Sequence, residues 1–180
     1  MLETKRLILR RWRNADLAPF AAMHTDPKVM EFLGPLKSIE ETRQSIERIE
    51  AGFDKNGFGL YAAELKETSE LIGFIGCSVP DFEAPFTPCI EIGWRLASAH
   101  WGQGLAPEGA RAVLGDMFLR PDVEEIFSWT AAINKKSISV MKKLGMLSDA
   151  RDNFNHPKVP KDNPLCPHVL YRLKKKDWRQ

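Results

Sequence analysis

Short apolar runs and helical repeats alternate along the first third of the chain. The run Leu7–Leu9, bracketed by arginines, favours a first strand because its residues are branched and apolar. Asn14 or Asp16 can cap a helix after it, and Asp26-Pro27 starts another, since proline needs no N–H partner in a first helical turn. This pattern predicts a strand followed by two short helices.

The next segment contains a long helix and two strands. Ser38–Glu41 is a capping box, and apolar residues then recur at helical spacing up to Gly57. The apolar runs Phe58–Leu65 and Leu71–Val79 are separated by a polar turn, which predicts an antiparallel pair. Prolines and phenylalanines make Pro80–Pro88 an irregular loop.

The second half continues the alternation of strands and helices. In order, the pattern predicts a strand at Cys89–Leu96, a helix at Gly104–Leu119, a strand at Glu125–Ala131, a helix at Asn134–Leu144, an extended piece at Met146–Ala150, a loop at Arg151–Pro167 and a strand at His168–Leu173. Hairpins and strand–helix–strand crossovers together imply a mixed α/β sheet. Without repeats or a linker, residues 1–180 are predicted to form a single domain.

Composition and charge narrow the class of protein. With 43% hydrophobic and 28% charged residues, the chain can bury a core, and its net charge of +2 gives no strong field for nucleic acid. Three cysteines suit neither a disulfide framework nor a zinc site. The charged N-terminus and the lack of a membrane-length apolar stretch predict a cytoplasmic protein that binds neither membrane nor nucleic acid.

The candidate chemistry lies in the stretch Glu91–Glu108, which is predicted to be a strand, a glycine turn and a helix start. Such a turn exposes backbone N–H groups beside the positive end of a helix and can hold a pyrophosphate. Gly102 and Gly104 permit the close approach. No Gly-Lys-Ser/Thr follows, and Pro107 replaces the third glycine of the dinucleotide fingerprint, so an ordinary helix-entry turn remains an alternative.

Three segments together carry a family resemblance. They are the turn Trp101–Ala106, the block Asn134-Lys135-Lys136-Ser137 with its later Leu144-Gly145-Met146, and the opening Glu3–Arg10. They resemble the GNAT superfamily of acyl-CoA-dependent N-acyltransferases, in particular its ribosomal-protein N-terminal acetyltransferase branch of RimJ/RimL type. The family's loop reads Gln/Arg-x-x-Gly-x-Gly/Ala, from which Trp101 departs at the first position. The resemblance covers nearly the whole chain.

The resemblance implies a GNAT-like α/β (α+β) fold, with a mostly antiparallel central sheet, splayed fourth and fifth strands, and flanking helices. It also implies acetyl-CoA as co-substrate and no metal. The cofactor's pantetheine arm would lie in the splay as an added strand and its pyrophosphate over the glycine turn. The implied cofactor-binding residues are Gly93, Trp94, Arg95, Leu96, Trp101, Gly102, Gln103, Gly104, Leu105, Ala106, Asn134 and Ser137.

Two residues are candidates for catalysis. The resemblance implies that Ser137, three residues after Asn134 on one helix face, protonates or orients the departing thiolate, the alternative being a helix cap or surface residue. Glu91 is the candidate base for the acceptor amine, directly or through water, because a protonated amine has no lone pair. The alternative for Glu91 is a structural carboxylate paired with Arg95 or Arg111.

The sequence thus predicts an N-acetyltransferase that moves an acetyl group to a primary amine by direct attack in a ternary complex. The acceptor is either a protein N-terminus, including a ribosomal one, or a small amine, and a homodimer is compatible with this scheme. A non-catalytic acyl-CoA-binding or interaction module is the alternative function. Basic residues at Arg10, Arg11 and Arg13 could meet an acidic partner or be solvated surface charge.

The loop around His156 and His168 is the least readable part of the predicted site. Its spacing with Cys166 matches no zinc pattern, so we expect no metal there. The histidines are instead expected to border the acceptor. Phenylalanines from the same region could form an aromatic acceptor wall or simply a packed loop, namely Phe82, Phe86 and Phe154.

Overall fold

The computed structural model describes residues 1–179 and contains nine strands and five helices in that range. The strands are β1 (Leu2–Glu3), β2 (Leu7–Arg10), β3 (Leu60–Leu65), β4 (Leu71–Ser78), β5 (Glu91–Leu96), β6 (Glu125–Ala131), β7 (Leu147–Ser148), β8 (Phe154–Asn155) and β9 (Pro167–Lys174). The helices are α1 (Leu17–His24), α2 (Pro27–Met30), α3 (Ile39–Asn56), α4 (Leu105–Phe118) and α5 (Lys135–Lys143).

The helix ends follow the local chemistry expected of them. Ser38 and Glu41 form the predicted capping box at the start of α3, with Ser38 N–H donating to Glu41 Oε2 at 2.7 Å. Gly57 ends that helix at φ 71°, a left-handed conformation that suits glycine. Asp26 caps α2 by accepting a 2.8 Å bond from the backbone of Lys28. These predicted starts and stops are confirmed.

The strands form one sheet in the order β1-β2-β3-β4-β5-β6-β9-β7, with β8 paired to β9. All neighbours are antiparallel except β5 and β6, which are parallel and share a single pair, Glu91 opposite Phe127. Beyond that pair the two strands diverge. Since β1 was not predicted, β5 and β6 are the fourth and fifth strands of the sequence analysis, and the mostly antiparallel sheet with its splay is confirmed.

Two strands escaped the sequence analysis. Both β1 and β8 are two residues long, too short to show an alternating pattern. The segment Arg151–Pro167, predicted to be a loop, includes β8, whose Phe154 lies opposite His168 on β9. Strand β9 also inserts between β6 and β7, so the end of the chain becomes an interior strand of the sheet.

The sheet is covered on both faces. Helix α4 packs closely on one face, because a Cβ at Gly109 would lie only 2.4 Å from Ile75 Cδ1. On the other face, Phe20 of α1 packs against Phe74 of β4 with ring centroids 6.1 Å apart. Both helices therefore bear directly on the central strands β4 and β5, where the candidate site lies.

The N-terminal arginines are engaged within the chain. Arg10 is 6% exposed, and its guanidinium pairs with Asp16 at 2.7 Å and with Glu64 at 2.6 Å. Arg11 pairs with Glu50 at 2.6 Å. These contacts fix the chain that leads into α1. Arg10 and Arg11 therefore form neither a free basic patch for an acidic partner nor simple solvated charges. Across residues 1–179, no helix combines the length and apolar character that crossing a membrane requires.

Candidate active site

The divergence of β5 and β6 leaves one edge of β5 open. The Phe127 N–H donates to the Ile90 carbonyl at 2.9 Å, so the peptide groups of Ile90 face β6. Peptide groups alternate in direction along a strand, which turns those of Ile92, Trp94 and Leu96 toward the same gap. An extended ligand can bond to such an edge as an added strand.

The predicted pantetheine residues therefore divide into two kinds. Trp94 and Leu96 turn backbone groups into the gap, although the Leu96 carbonyl already accepts a 2.8 Å bond from Trp101 Nε1. Gly93 and Arg95 turn their backbone groups toward β4 instead, where they lie opposite Gly76 and Phe74. Side chains also alternate between the two faces of a sheet, so Gly93 and Arg95 lie on the face opposite Trp94 and Leu96. The second cavity, described below, lies on that face.

A cavity of about 540 Å³ opens from this gap, and we call it the splay cleft. It lies between α2, the end of β5, the glycine turn and α5. Its lining includes the predicted residues Trp94, Arg95, Leu96, Trp101, Gly102, Gly104, Leu105, Ala106, Asn134 and Ser137, but neither Gly93 nor Gln103. Its size lies in the usual range for small-molecule sites.

The glycine turn presents a row of free backbone donors. Gly102 and Gly104 have φ angles of 76° and 77°, and α4 starts at Leu105 without a side-chain cap. In the described part of the chain, the N–H groups from Gly102 to Ala106 have no hydrogen-bond acceptor. Free N–H groups in a concave turn at a helix start bind anions, which is the arrangement predicted for the pyrophosphate.

Thr4 and Arg6, from the N-terminal segment of the family resemblance, fix this turn through Glu108. Arg6 Nε donates to Glu108 Oε2 at 2.7 Å, and Arg6 Nη1 donates to the Gln103 carbonyl at 2.9 Å. Thr4 Oγ1 donates to Glu108 Oε1 at 2.6 Å. The N-terminal segment therefore clamps the start of α4, which gives a physical reason for the motif in that segment.

Lysines also surround the cleft. Lys28, Lys135, Lys136 and Lys143 line it, and none of them pairs with a carboxylate within residues 1–179. The Lys136 ammonium lies 4.1 Å from the centroid of the Trp101 ring. Trp101 thus shapes the cleft wall and holds a cation. The sequence motif contained Lys135 and Lys136, but only the fold brings the other two lysines to them.

Asn134 and Ser137 contact each other at the start of α5. Asn134 caps α5 by accepting from the Ser137 N–H at 3.2 Å, while its Nδ2 donates to Thr130 Oγ1 at 2.9 Å and to Ser137 Oγ at 3.1 Å. Both Nδ2 protons are used, so only an Oδ1 lone pair remains for a ligand N–H. Ser137 Oγ accepts one bond and keeps its own proton free, so Asn134 and not Ser137 is the helix cap.

Glu91 is the first residue of β5 and forms the single pair with β6, so it lies where the two strands begin to diverge. Burial raises the pKa of its carboxyl to about 8. Within residues 1–179 the carboxylate makes no hydrogen bond or ion pair, since Arg95 bonds to His24 and Arg111 donates to the Lys143 carbonyl. The paired-carboxylate alternative is therefore wrong. Glu91 does not itself line the splay cleft.

The Arg95 side chain continues to the opposite face of the sheet, toward α1. Its Nη1 lies 2.7 Å from His24 Nε2, and His24 Nδ1 lies 2.8 Å from Thr42 Oγ1. Because a guanidinium only donates, His24 Nε2 must accept and its proton lies on Nδ1. Burial, with Arg95 and Lys37 nearby, lowers the pKa of His24 to about 4.

A second cavity of about 370 Å³ lies on this face, between α1, α3 and β4. We call it the cationic cavity because Lys37, Arg48 and Arg95 line it. Arg95 lines both this cavity and the splay cleft, so the two cavities lie next to each other at this residue. The sequence analysis missed the cationic cavity, since its residues come from segments far apart in the chain.

The proline-rich loops form an aromatic cluster. The Phe82 ring centroid lies 5.6 Å from that of Trp129 and 4.9 Å from that of His156, and Phe86 lies 4.9 Å from Phe154. The rings pack on one another, which favours the packed-loop interpretation. Residues 1–179 include no group of three or more His, Cys, Asp or Glu side chains arranged to hold a metal ion.

Two of the three cysteines, Cys77 and Cys89, do not offer a nucleophile. Burial raises the pKa of Cys77, which is fully buried, and burial with Glu91 nearby raises the pKa of Cys89 to about 11. Both therefore remain thiols near neutral pH, and the thiolate is the reactive form. Neither Cys77 nor Cys89 is therefore suited to carry an acyl group as a thioester.

Known proteins are similar to this chain in sequence and in architecture. A profile of the acetyltransferase (GNAT) domain matches residues 6–147. YkkB, an uncharacterized protein of Bacillus subtilis (strain 168), is 34% identical over 149 residues, covering 81% of this chain and 84% of its own. The solved structure of an acetyltransferase from Agrobacterium tumefaciens strain C58 is 28% identical with a TM-score of 0.75, and the match covers 96% of this chain and 92% of that one.

A more distant structure carries a more specific description. It is RimL, described as a ribosomal L7/L12 alpha-N-protein acetyltransferase in complex with coenzyme A, with a TM-score of 0.77, 15% identity and 95% coverage of both chains. At that identity the likeness establishes the fold alone. The profile match and the Bacillus relative establish more, and with the splayed strands and the free glycine turn they place this chain in the GNAT family of acetyltransferases.

Proposed function

We propose that the protein transfers an acetyl group from acetyl-CoA to a primary amine by direct attack in a ternary complex. The observation that carries this proposal is the unpaired edge of β5 leading to the row of free N–H groups at residues 102–106. The first suits an extended amide-bearing arm and the second suits a pyrophosphate. The two lie in one cleft, as a single ligand with both parts requires.

Different residues of the cleft would bind different parts of the cofactor. Trp94 and Leu96 would bond to the pantetheine arm, and Asn134 would accept from it through its remaining lone pair. The N–H groups from Gly102 to Ala106 would hold the pyrophosphate, with the four cleft lysines neutralising phosphate charge. A structure of the same fold is described with bound coenzyme A, which supports this placement.

The chemistry follows from Glu91 and Ser137. The amine nitrogen attacks the thioester carbonyl carbon, a C–N bond forms and the C–S bond breaks. Glu91 takes the amine proton through a water and then releases it to solvent. Ser137 gives its proton to the departing sulfur and regains one from solvent, so that an acetamide and a free thiol result. A carboxylate with a pKa near 8 is well matched to this task at neutral pH. The open gap brings the two reactants together.

The acceptor remains one of two classes, a protein N-terminus or a small amine. The RimJ/RimL interpretation favours the first, but the structural likeness to RimL, at 15% identity, establishes the fold alone. The cytoplasmic location, the ribosomal partner and the homodimer stay predictions from the sequence. The cationic cavity bears on the acceptor, and we use it below.

Ligand-induced stabilisation is the first test. Acetyl-CoA and CoA should raise the melting temperature of the purified protein, whereas NAD and ATP should not, because a ligand at 100 times its Kd adds about 2.7 kcal/mol. Equal shifts with all four compounds, or none with CoA, would contradict the proposed cofactor site.

Turnover then separates an enzyme from a non-catalytic binding module. Thiol release should fall several-fold in Ser137→Ala while acetyl-CoA affinity holds. Ser139→Ala is the matched control, since Ser139 lines the same cleft on the same helix and has no assigned role. A protein that binds acetyl-CoA but releases no thiol with any amine would support the module instead.

A further inference from the structure

Three cations converge on the cationic cavity without a counterion. Within residues 1–179 no carboxylate forms an ion pair with Lys37, Arg48 or Arg95. The acidic residue that lines the cavity, Asp81, is paired with Lys158. Three positive side chains thus line the cavity together with one carboxylate, which is already paired.

The contacts of these cations are poor substitutes for a counterion. Lys37 Nζ and Arg48 Nη2 share one hydroxyl, Ser45 Oγ, at 3.5 and 3.1 Å. Arg95 Nε is buried and has no hydrogen-bond partner in the described structure. Burying like charges with an unmet donor costs free energy that a bound anion would recover. Burial and the neighbouring arginines also lower the pKa of Lys37.

The position of the cavity relates this charge to the reaction. Arg95 lines both cavities, so a molecule in the cationic cavity lies beside the route of the thioester. Gly93 lies between Glu91 and Arg95 on the same face of β5, and a Cβ there would meet no atom within 4 Å. Open space thus lies between the candidate base and the cations.

We propose that the acceptor is a small α-amine with an acidic side chain, and that Lys37, Arg48 and Arg95 bind the side-chain carboxylate. The inference rests on the proposed acetyl transfer and specifies its substrate class. The cavity volume of about 370 Å³ suits an amino acid or the first residue or two of a peptide. Polycationic amines meet three like charges and are poor acceptors.

Matched acceptors test the proposal without changing the amine. Glutamate and glutamine share an α-amine and differ by one side-chain carboxylate, as do aspartate and asparagine. We expect kcat/KM to be at least about tenfold higher for the acidic member of each pair, a factor equal to 1.4 kcal/mol. Spermidine should be the poorest acceptor. The dipeptides Glu-Ala and Gln-Ala distinguish a free amino acid from a peptide as the source of the carboxylate.

Variants connect the preference to the cavity. Lys37→Gln with Arg48→Gln should reduce the glutamate-to-glutamine ratio of kcat/KM to within about twofold and leave acetyl-CoA affinity unchanged. Arg43→Gln is the matched control, because Arg43 is an exposed arginine on α3 outside the cavity and should keep the ratio. A ratio that the double variant keeps, or that Arg43→Gln also loses, overturns the proposal.

Failure of the inference can be told apart from failure of the proposed function. If acetyl-CoA stabilises the protein and amines are acetylated, but glutamate and glutamine react equally, the carboxylate site is wrong and the transferase stands. If acetyl-CoA does not bind, both fail. Calorimetric titration of glutamate into the CoA-saturated protein adds a readout independent of turnover, in which tighter binding than glutamine is expected and equal binding overturns the proposal.

Discussion

The two cavities beside β5 are built by different means. The splay cleft depends on backbone groups, namely an unpaired strand edge and free N–H groups at the glycine turn. The cationic cavity depends on side chains, with Lys37, Arg48 and Arg95 brought together from a loop, a helix and a strand. A backbone site needs glycines and a helix start at fixed spacing, whereas a side-chain site needs only that the fold bring suitable residues together.

This difference suggests a division of labour. A backbone site is difficult to alter without changing the fold, which suits a ligand that stays the same. A side-chain site changes with a single substitution, which suits an acceptor that differs between relatives of one fold. Glu91 lies where β5 leaves β6, on the same face as Arg95, so it belongs to the junction of the two halves.

The largest expected effect is at that junction. Glu91→Gln keeps the size of the side chain but removes the base, so kcat should fall by about 100-fold or more, with acetyl-CoA affinity unchanged. The rate of the unmodified enzyme should rise with pH until the carboxyl, with its pKa of about 8, is ionised. Thiol release across pH 6–10 measures both.

The exposed residue Glu67 provides the control for this substitution. Glu67→Gln should have the rate and pH profile of the unmodified enzyme. If Glu91→Gln kept its rate and the same pH profile, the amine would lose its proton by another route, and Glu91 would have no part in the chemistry.

A substitution at Gly93 should affect one side of β5 only. Gly93→Val fills the open space beside Arg95 but leaves the backbone that faces the gap in place. We expect kcat/KM for the amine to fall between about tenfold and 100-fold, since small displacements of a reactant are costly. Acetyl-CoA affinity, measured by calorimetry, should stay within about twofold. A matching loss of acetyl-CoA affinity would mean that Gly93 belongs to the cofactor side, as the family resemblance implied.

Sequence reasoning succeeded where chemistry is local. The capping box at Ser38, the left-handed Gly57 and the proline start of α2 each depend on a few neighbouring residues, and all were predicted. The glycine turn and the Asn134 to Ser137 contact are local in the same sense. These features required no knowledge of the rest of the fold.

The failures share the opposite property. Strands β1 and β8 are too short to show a pattern and exist because a longer neighbour pairs with them. Arg6 and Glu108 are 102 positions apart in the sequence, and Arg95 and His24 are 71 positions apart. Such contacts leave no spacing signal in a single sequence, so the acceptor side could not be predicted.

A smaller effect is expected on the cofactor side. Gly102→Ala puts a Cβ on a residue at φ 76°, which costs about 1–2 kcal/mol, and should weaken acetyl-CoA binding about tenfold as the turn deforms. Gly115→Ala is the control, because Gly115 lies in α4 at a helical φ with equally open space. It should stabilise the protein by about 0.5–1 kcal/mol and keep cofactor affinity. Equal affinities in the two variants would contradict the backbone site.

The smallest effect is on stability and concerns Glu91 again. Because burial raises its pKa from 4.5 to about 8, the folded state holds the proton more tightly than the unfolded state does. The group costs no stability below pH 4.5, costs more as pH rises toward 8, and reaches its full cost above 8. Glu91→Gln should therefore melt close to the unmodified protein near pH 5 and above it near pH 9. Equal melting temperatures at all pH values would show that folding does not raise the pKa of Glu91, and would contradict a base that is tuned to work near neutral pH.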